Sequence, residues 1–422
     1  MVLTFAVVPG AARADLFDYV KKADPSFEWE LRKTTKTDDG VIYDLHLVSQ
    51  TWQKIKWEHQ IQVYVPKAVK PTATMVLWNQ GGKPGALSAT IGMEMARKAK
   101  APVAFLFGIP NQPLFDGMRE DALIAETFVR YLKNGDESWP LLFPMVKSLV
   151  KAMDALQAFA MREWNFVVRF FLVTGGSKRG WTTWLTAAAD PRVKAIAPLV
   201  IDTLNMQAQL PHQLKSYGRF SEMIDDYVKR GLVPMPKTKR ALKLWSMVDP
   251  WVYRDKIKVP TLIVNGANDP YWTVDALNLY WDDLKCPRWV EIVPNAGHNL
   301  MENKIDPTRI ANTLGAFARI QIHGHKMPNL TWKHDDFKGT ARLRVESDVP
   351  PKTARLWVAD AAKRDFRKSV WKKHQAVVNG KSVLGTIEPP ADGFRAVYGE
   401  MEYQIDGMTY YLSTQVRVLQ KK

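Results

Sequence analysis

The sequence predicts an α/β fold: a doubly wound, mostly parallel sheet with a helical lid insertion, followed by a C-terminal immunoglobulin-like β-sandwich. Three observations predict it. Between about residues 74 and 320, short apolar runs bounded by Gly and Pro alternate with helical patterns, as buried parallel strands and their crossover helices do. One connection, 205–256, is helical in pattern and, at about fifty residues, far longer than an ordinary loop. From residue 329 onward the texture changes to period-two alternation broken by turn residues.

Taken in order, residues 41–47 and 59–65 alternate polar and apolar side chains, and the second run stops at Pro66. They read as antiparallel edge strands. Residues 74–79 and 103–108 are continuous apolar runs with a helix expected at 87–100 between them. Apolar spacing near 3.6 predicts helices over 121–133 and 142–164. A buried strand at 169–174 runs into Gly175-Gly176-Ser177 and a helix at 178–189. Strands at 193–201, 261–264 and 289–293 follow, and a helix at 307–320 closes this unit. The 205–256 insertion is expected to form a lid or cap over a site. The expected units are thus 15–327, which includes the lid, and 328–422, where 341–346, 353–358, 393–402 and 409–418 alternate.

Composition narrows the function classes. The chain has 422 residues, 46% apolar and 24% charged, the profile of a globular protein with no transmembrane run. The net charge of +16 allows an anionic partner surface, but Lys and Arg are spread along the chain. The densest patch, 363–373, is interleaved with Asp365, Phe366 and Trp371, so a solvated basic surface competes with an anionic-surface partner. No nucleic-acid motif is present. Cys286 is the single cysteine, which excludes a disulfide framework. No His pair at ligand spacing and no phosphate-binding glycine motif occur, so no metal and no cofactor is expected. Residues 2–11 are apolar and lead to Ala12-Arg13-Ala14. They read as the end of a signal peptide lacking its basic start, with Asp15 the first mature residue, or else as an N-terminal strand. The first reading makes the protein periplasmic or secreted.

Four segments carry chemistry. Strand-Gly175-Gly176-Ser177-Lys178-Arg179-Gly180-helix has the form of a nucleophile elbow, where small neighbours allow a strained serine turn and the helix N-terminus suits an oxyanion. The usual glycine two residues after the serine is here Arg179, and glycine arrives at Gly180. A basic residue after the serine and Gly at the third position are similar to the arrangement in glucuronoyl esterases. Asn268-Asp269 follows a late strand, where Asp269 can orient an imidazole; Asp275 competes but reads better as a helix-start residue. His298, in Pro294-Asn295-Ala296-Gly297-His298, follows the last strand of the unit and completes the order Ser, Asp, His. His46, His59, His212, His323, His325, His334 and His374 read as surface or structural residues. Gln80-Gly81-Gly82 after an early strand places Gly81 or Gly82, with the Lys178 N–H, as oxyanion-hole donors.

Together these residues resemble the PhoPQ-activated pathogenicity-related protein family. The resemblance rests on Gly175 through Trp184, on Asp249-Pro250 through Tyr253-Arg254-Asp255, on Asn268-Asp269, on Val293 through His298, and on Glu120-Asp121 with Gly135-Asp136-Glu137 and Trp139-Pro140. Pro270-Tyr271-Trp272 departs a little from the bulky aromatic pair common after the acid in that family. The resemblance implies an α/β-hydrolase fold and an extracytoplasmic place, and little about substrate.

The resulting expectation is a serine hydrolase with the triad Ser177, Asp269 and His298, cleaving an ester in preference to a peptide bond. Trp181, Trp184, Trp272, Arg179 and the lid between Leu210 and Trp245 are the candidates to line its pocket. The sixteen tryptophans and the basic surface mildly favour a small-molecule or carbohydrate-linked ester. The rival reading is a non-catalytic secreted binding or signalling protein on a hydrolase scaffold. A glucuronoyl-esterase-like enzyme is a third reading; it needs a cation opposite the oxyanion hole.

Overall fold

The computed structural model describes residues 15–300, 306 and 308–421. The expected signal-peptide segment, 1–14, lies outside the described residues, as does Pro307 at the expected start of the closing helix. The first unit opens with α1 (Leu16–Lys21), β1 (Glu28–Lys36), β2 (Gly40–Trp52) and β3 (Ile55–Pro66). The wound region follows: β4 (Thr74–Asn79), α2 (Ala86–Ala99), β5 (Val103–Phe107), α3 (Glu120–Asn134), α4 (Leu142–Trp164), β6 (Phe170–Gly176), α5 (Lys178–Ala189) and β7 (Val193–Leu199). The insertion carries α6 (Met206–Tyr217), α7 (Asp225–Lys229) and α8 (Lys239–Val248). Then come β8 (Thr261–Gly266), β9 (Arg288–Val293) and α9 (Arg309–His323).

These strands form one nine-stranded sheet in the order β1-β2-β3-β5-β4-β6-β7-β8-β9. The three leading strands pair antiparallel and the rest are parallel, so the sheet is mixed with its antiparallel part at one edge. The burial patterns follow from this. Strands β4, β5 and β8 are buried on both faces and read as continuous apolar runs. β1 at the open edge is largely exposed and polar, which is why its alternation escaped the sequence reading. Helices α2 and α9 cover one face, and α1, α4 and α5 the other. Ser177, Asp269 and His298 follow the carboxyl ends of β6, β8 and β9, the edge where open α/β sheets bind ligands.

The second unit comprises β10 (Leu330–Phe337), β11 (Thr340–Ser347), β12 (Thr353–Ala361), β13 (Lys372–Gln375), β14 (Val377–Asn379), β15 (Ser382–Ile387), β16 (Phe394–Ile405), β17 (Met408–Ser413) and β18 (Arg417–Gln420). They make two antiparallel sheets, β10-β11-β15-β14 and β13-β12-β16-β17, with β18 also on β16. The apolar faces of β11, β12 and β16 meet in the same cluster that holds α9 and β8. The two units therefore share a core rather than meeting across a polar seam.

Candidate active site

Ser177 occupies the turn between β6 and α5 with φ 57° and ψ −129°, a region that costs a non-glycine residue about 1–3 kcal/mol. The Ser177 N–H donates to the Leu199 carbonyl (2.9 Å), which ties the turn to β7. Gly180 makes the close packing of α5 on the sheet possible: a Cβ there would lie 2.6 Å from Ile201 Cγ2 and 2.9 Å from the Gly175 oxygen. The glycine displaced by one position thus still serves helix–strand contact.

The Arg179 side chain is nearly buried and turns away from Ser177. Its Nε donates to the Ile109 carbonyl (2.6 Å), and its two terminal nitrogens hold both oxygens of Glu120 (2.6 and 2.7 Å). A Cβ on Gly81 would sit 1.9 Å from the Arg179 guanidinium, so the glycine in the loop after β4 makes room for this arginine. Burial raises the Glu120 pKa, but the Arg179 bond, its charge and that of Lys178 outweigh it and bring the carboxyl down to about 2. The expected place of Arg179 against substrate is corrected: its Nε and both terminal nitrogens are engaged by Ile109 and Glu120, so it acts as a strut within the protein.

The Lys178 ammonium bonds Glu120 (3.0 Å) and Asp121 (3.3 Å), and Asp121 also accepts from the hydroxyls of Tyr227 (3.1 Å) and Tyr271 (3.2 Å). These carboxylates open α3. The sequence reading noted Glu120-Asp121 without assigning a role; their place at a helix start facing two adjacent cations was the available signal.

The acid and base loops are linked by a backbone bond from the Asn268 N–H to the Ala296 carbonyl (2.9 Å). His298 Nδ1 and Asp269 Oδ2 are 2.8 Å apart, and Asp269 is 5% exposed. The other Asp269 oxygen accepts from the Tyr271 N–H (2.8 Å), and the Tyr271 ring lies on the imidazole with centroids 4.2 Å apart. His298 Nε2 is buried and has no hydrogen-bond partner among the described residues, so no Ser177–His298 bond is formed in this structure. Both side chains border one cavity of about 40 Å³. Asp275 instead binds His212 of α6 (2.8 Å) and Arg364, with no side-chain cap on the short helix after it.

Trp181, Trp272 and Lys178 also border that cavity, and residues of the 205–256 insertion such as Met206, Leu210, Ile224, Val233 and Trp245 close it. Trp184 is packed in the core instead. Neither Gly81 nor Gly82 borders it; Gly82 faces a separate void with Lys83 and Pro84, and its carbonyl accepts from Gly108 (3.0 Å). Among the described residues no group of three His, Cys, Asp or Glu could hold a metal ion, and no helix is long and apolar enough to cross a membrane.

Two side chains that the sequence reading missed brace the loops from the C-terminal unit. Asn268 Nδ2 donates to the carbonyls of Phe366 (3.1 Å) and Ser369 (2.7 Å), and Asn295 exchanges two bonds with the Trp371 backbone (2.8 and 3.0 Å).

The sequence profile of the PhoPQ-activated pathogenicity-related protein family matches residues 16–367. The chain is 32% identical to autocrine proliferation repressor protein A of Dictyostelium discoideum, over 96% of this chain and 88% of that protein. Among solved structures it is similar to acetyl xylan esterase 1 from a Thermoanaerobacterium species, with TM-score 0.50 and 14% identity over 72% of this chain and 91% of that one. An S-formylglutathione hydrolase from Agrobacterium tumefaciens aligns with TM-score 0.46 and 14% identity over 70% of this chain and 99% of that one. The first of these two structures shows an α/β-hydrolase-like fold.

Proposed function

The chain belongs to the PhoPQ-activated pathogenicity-related protein family, and from that premise we propose that it is a secreted or periplasmic serine hydrolase of short-chain esters. The observation that carries the reading is the Asp269–His298 bond at a buried carboxylate, with strained Ser177 bordering the same cavity at the head of α5. In this reading Asp269 fixes the imidazole with Nδ1 protonated and Nε2 free to act. His298 Nε2 takes the Ser177 proton as Oγ attacks the ester carbonyl, then delivers that proton to the leaving alcohol. The Lys178 N–H at the head of α5 supplies an oxyanion donor. Water, activated by the same imidazole, releases the acyl group. The Ser177–His298 bond then forms on substrate binding, in line with catalytic contacts that tighten only in the complex.

The cavity supports a short acyl group. It is small, and its walls are chiefly apolar, with Trp181, Ile201, Met206, Leu210 and Trp245 among them, which suits a short apolar acyl group. The test is labelling by a fluorophosphonate probe. Wild type is expected to label, and Ser177→Ala and His298→Ala are expected not to. A folded wild type that stays unlabelled would sink the triad.

A second reading has two observations in its favour. The Dictyostelium relative is named an autocrine proliferation repressor, and the unpartnered His298 Nε2 is equally compatible with a binding protein that has kept the scaffold. Unchanged labelling-negative behaviour together with hydrolysis absent on acetyl esters would favour it.

A further inference from the structure

His298 borders two voids of unlike size and chemistry. The first is the apolar cavity it shares with Ser177, about 40 Å³. The second is an open groove of about 740 Å³ between the acid and base loops and the C-terminal unit. Its walls include Arg219, Lys363, Arg367 and Lys368. The two carboxylates on the groove, Glu222 and Asp365, are both bonded to Arg367 (3.0 and 2.7 Å). Lys363 and Lys368 are exposed and have no ion-pair or hydrogen-bond partner among the described residues. Among the described residues, four cations against two carboxylates leave the groove positive, with the excess on those two lysines.

The chemistry of acyl transfer separates the two voids. The imidazole that accepts the serine proton must hand it to the departing oxygen, so the alcohol part of the ester lies against His298 while the acyl part lies beyond Ser177. The small cavity touches both catalytic side chains, and its chiefly apolar walls suit a short acyl group. The groove touches His298 alone and has room for a sugar-sized alcohol. Resting on the hydrolase reading, we infer that the substrate is a short-chain acyl ester of an alcohol that carries negative charge, seated in this groove with its anion between Lys363 and Lys368. The step is an ordinary transfer. Ser177 Oγ bonds the acyl carbon, the carbon–oxygen bond to the anionic alcohol breaks, and the serine proton leaves on that alcohol through His298. Water then returns the acid and regenerates Ser177.

The test compares two chromogenic acetates at low ionic strength: neutral 4-nitrophenyl acetate, and 5-acetoxy-2-nitrobenzoate, whose leaving group bears a carboxylate. The readout is the ratio of their kcat/KM values in wild type, in Lys363→Glu with Lys368→Glu, and in a control of equal charge change, Lys33→Glu with Lys36→Glu on exposed β1. The groove pair is expected to lower the anionic-to-neutral ratio by about tenfold, as lost and reversed exposed ion pairs do, with the control at the wild-type ratio. An unmoved ratio in the groove pair, or an equal fall in the control, overturns the assignment while hydrolysis of 4-nitrophenyl acetate leaves the hydrolase reading standing. Failure of wild type to hydrolyse either ester overturns both.

Discussion

At Ser177 the backbone stores strain in the residue that would carry the reaction, and the neighbours that permit it are small. The same economy governs the buried carboxyls around the acid loop. Asp202, just past β7, accepts from the Tyr280 hydroxyl and from Asn265 Nδ2 (2.9 Å), yet burial raises its pKa to about 6 against these bonds, and the Asp269 charge adds to the rise. A carboxyl whose folded pKa lies above its unfolded value of 3.8 binds more protons when folded. Stability therefore falls as pH climbs from about 4 through about 6, by on the order of 3 kcal/mol. Asp202→Asn removes that dependence. It keeps an acceptor for Tyr280, and Asn265, whose Oδ1 has no partner, can turn to receive the new amide. The expected result is a higher denaturation midpoint than wild type at pH 8 and little difference at pH 4. Equal midpoints at pH 8 would mean that Asp202 is charged at no cost.

At the scale of elements, the insertion between β7 and β8 shapes the acyl side of the cavity. Its helices are tied down: Asp249 accepts from the Asn205 and Met206 N–H groups (3.1 and 2.9 Å), and the Tyr217 hydroxyl donates to the Trp272 carbonyl (2.6 Å). With Leu210 and its neighbours so fixed, kcat/KM for 4-nitrophenyl esters is expected to fall at least tenfold from acetate to octanoate. Leu210→Ala should shift that optimum toward butyrate by opening the apolar wall, at a stability cost of about 2–4 kcal/mol. A flat chain-length profile in wild type would contradict a closed acyl pocket. The wound sheet, the insertion and the three loops of the candidate site were all legible in the sequence, because buried parallel strands read as continuous apolar runs and the loops fall at their ends. Helix 142–164 matches to the residue. Less legible were contacts between segments distant in the chain. Nothing local to Asn268 or Asn295 shows that 366–371 will brace them. The pairing of Arg179 with Glu120, and the Gly81 that admits it, emerges only once β4, β5 and β6 lie side by side. Strands β1 and β13 are exposed and largely polar, and β14 is an exposed Val-Val-Asn strand too short for a period to mark it.

Over the whole molecule, one buried arginine joins the units. Arg309 on α9 bonds Glu291 of β9 (2.6 Å) and Glu400 of β16, and Glu400 also accepts from Trp357 Nε1 (2.9 Å). Burial pushes Glu291 up to about 7 despite the arginine. The C-terminal sheets therefore hang on the first unit through a desolvated ion triad set in a shared apolar core, and the loops bearing Asp269 and His298 lie beside that junction. Two outcomes are expected in calorimetry. Wild type should unfold in a single transition, because neither unit keeps a closed core alone. Arg309→Leu should lower stability by about 3–5 kcal/mol at pH 8, since it leaves buried Glu291 without its cation and buried Glu400 with only Arg355, 3.6 Å away. Lowering the pH lets Glu291, already raised to about 7 by burial, protonate in the folded state, so the deficit should shrink toward pH 5. Two separate transitions in wild type would show that the C-terminal unit folds by itself. The bracing of the acid and base loops would then be a docking contact instead of part of one cooperative fold.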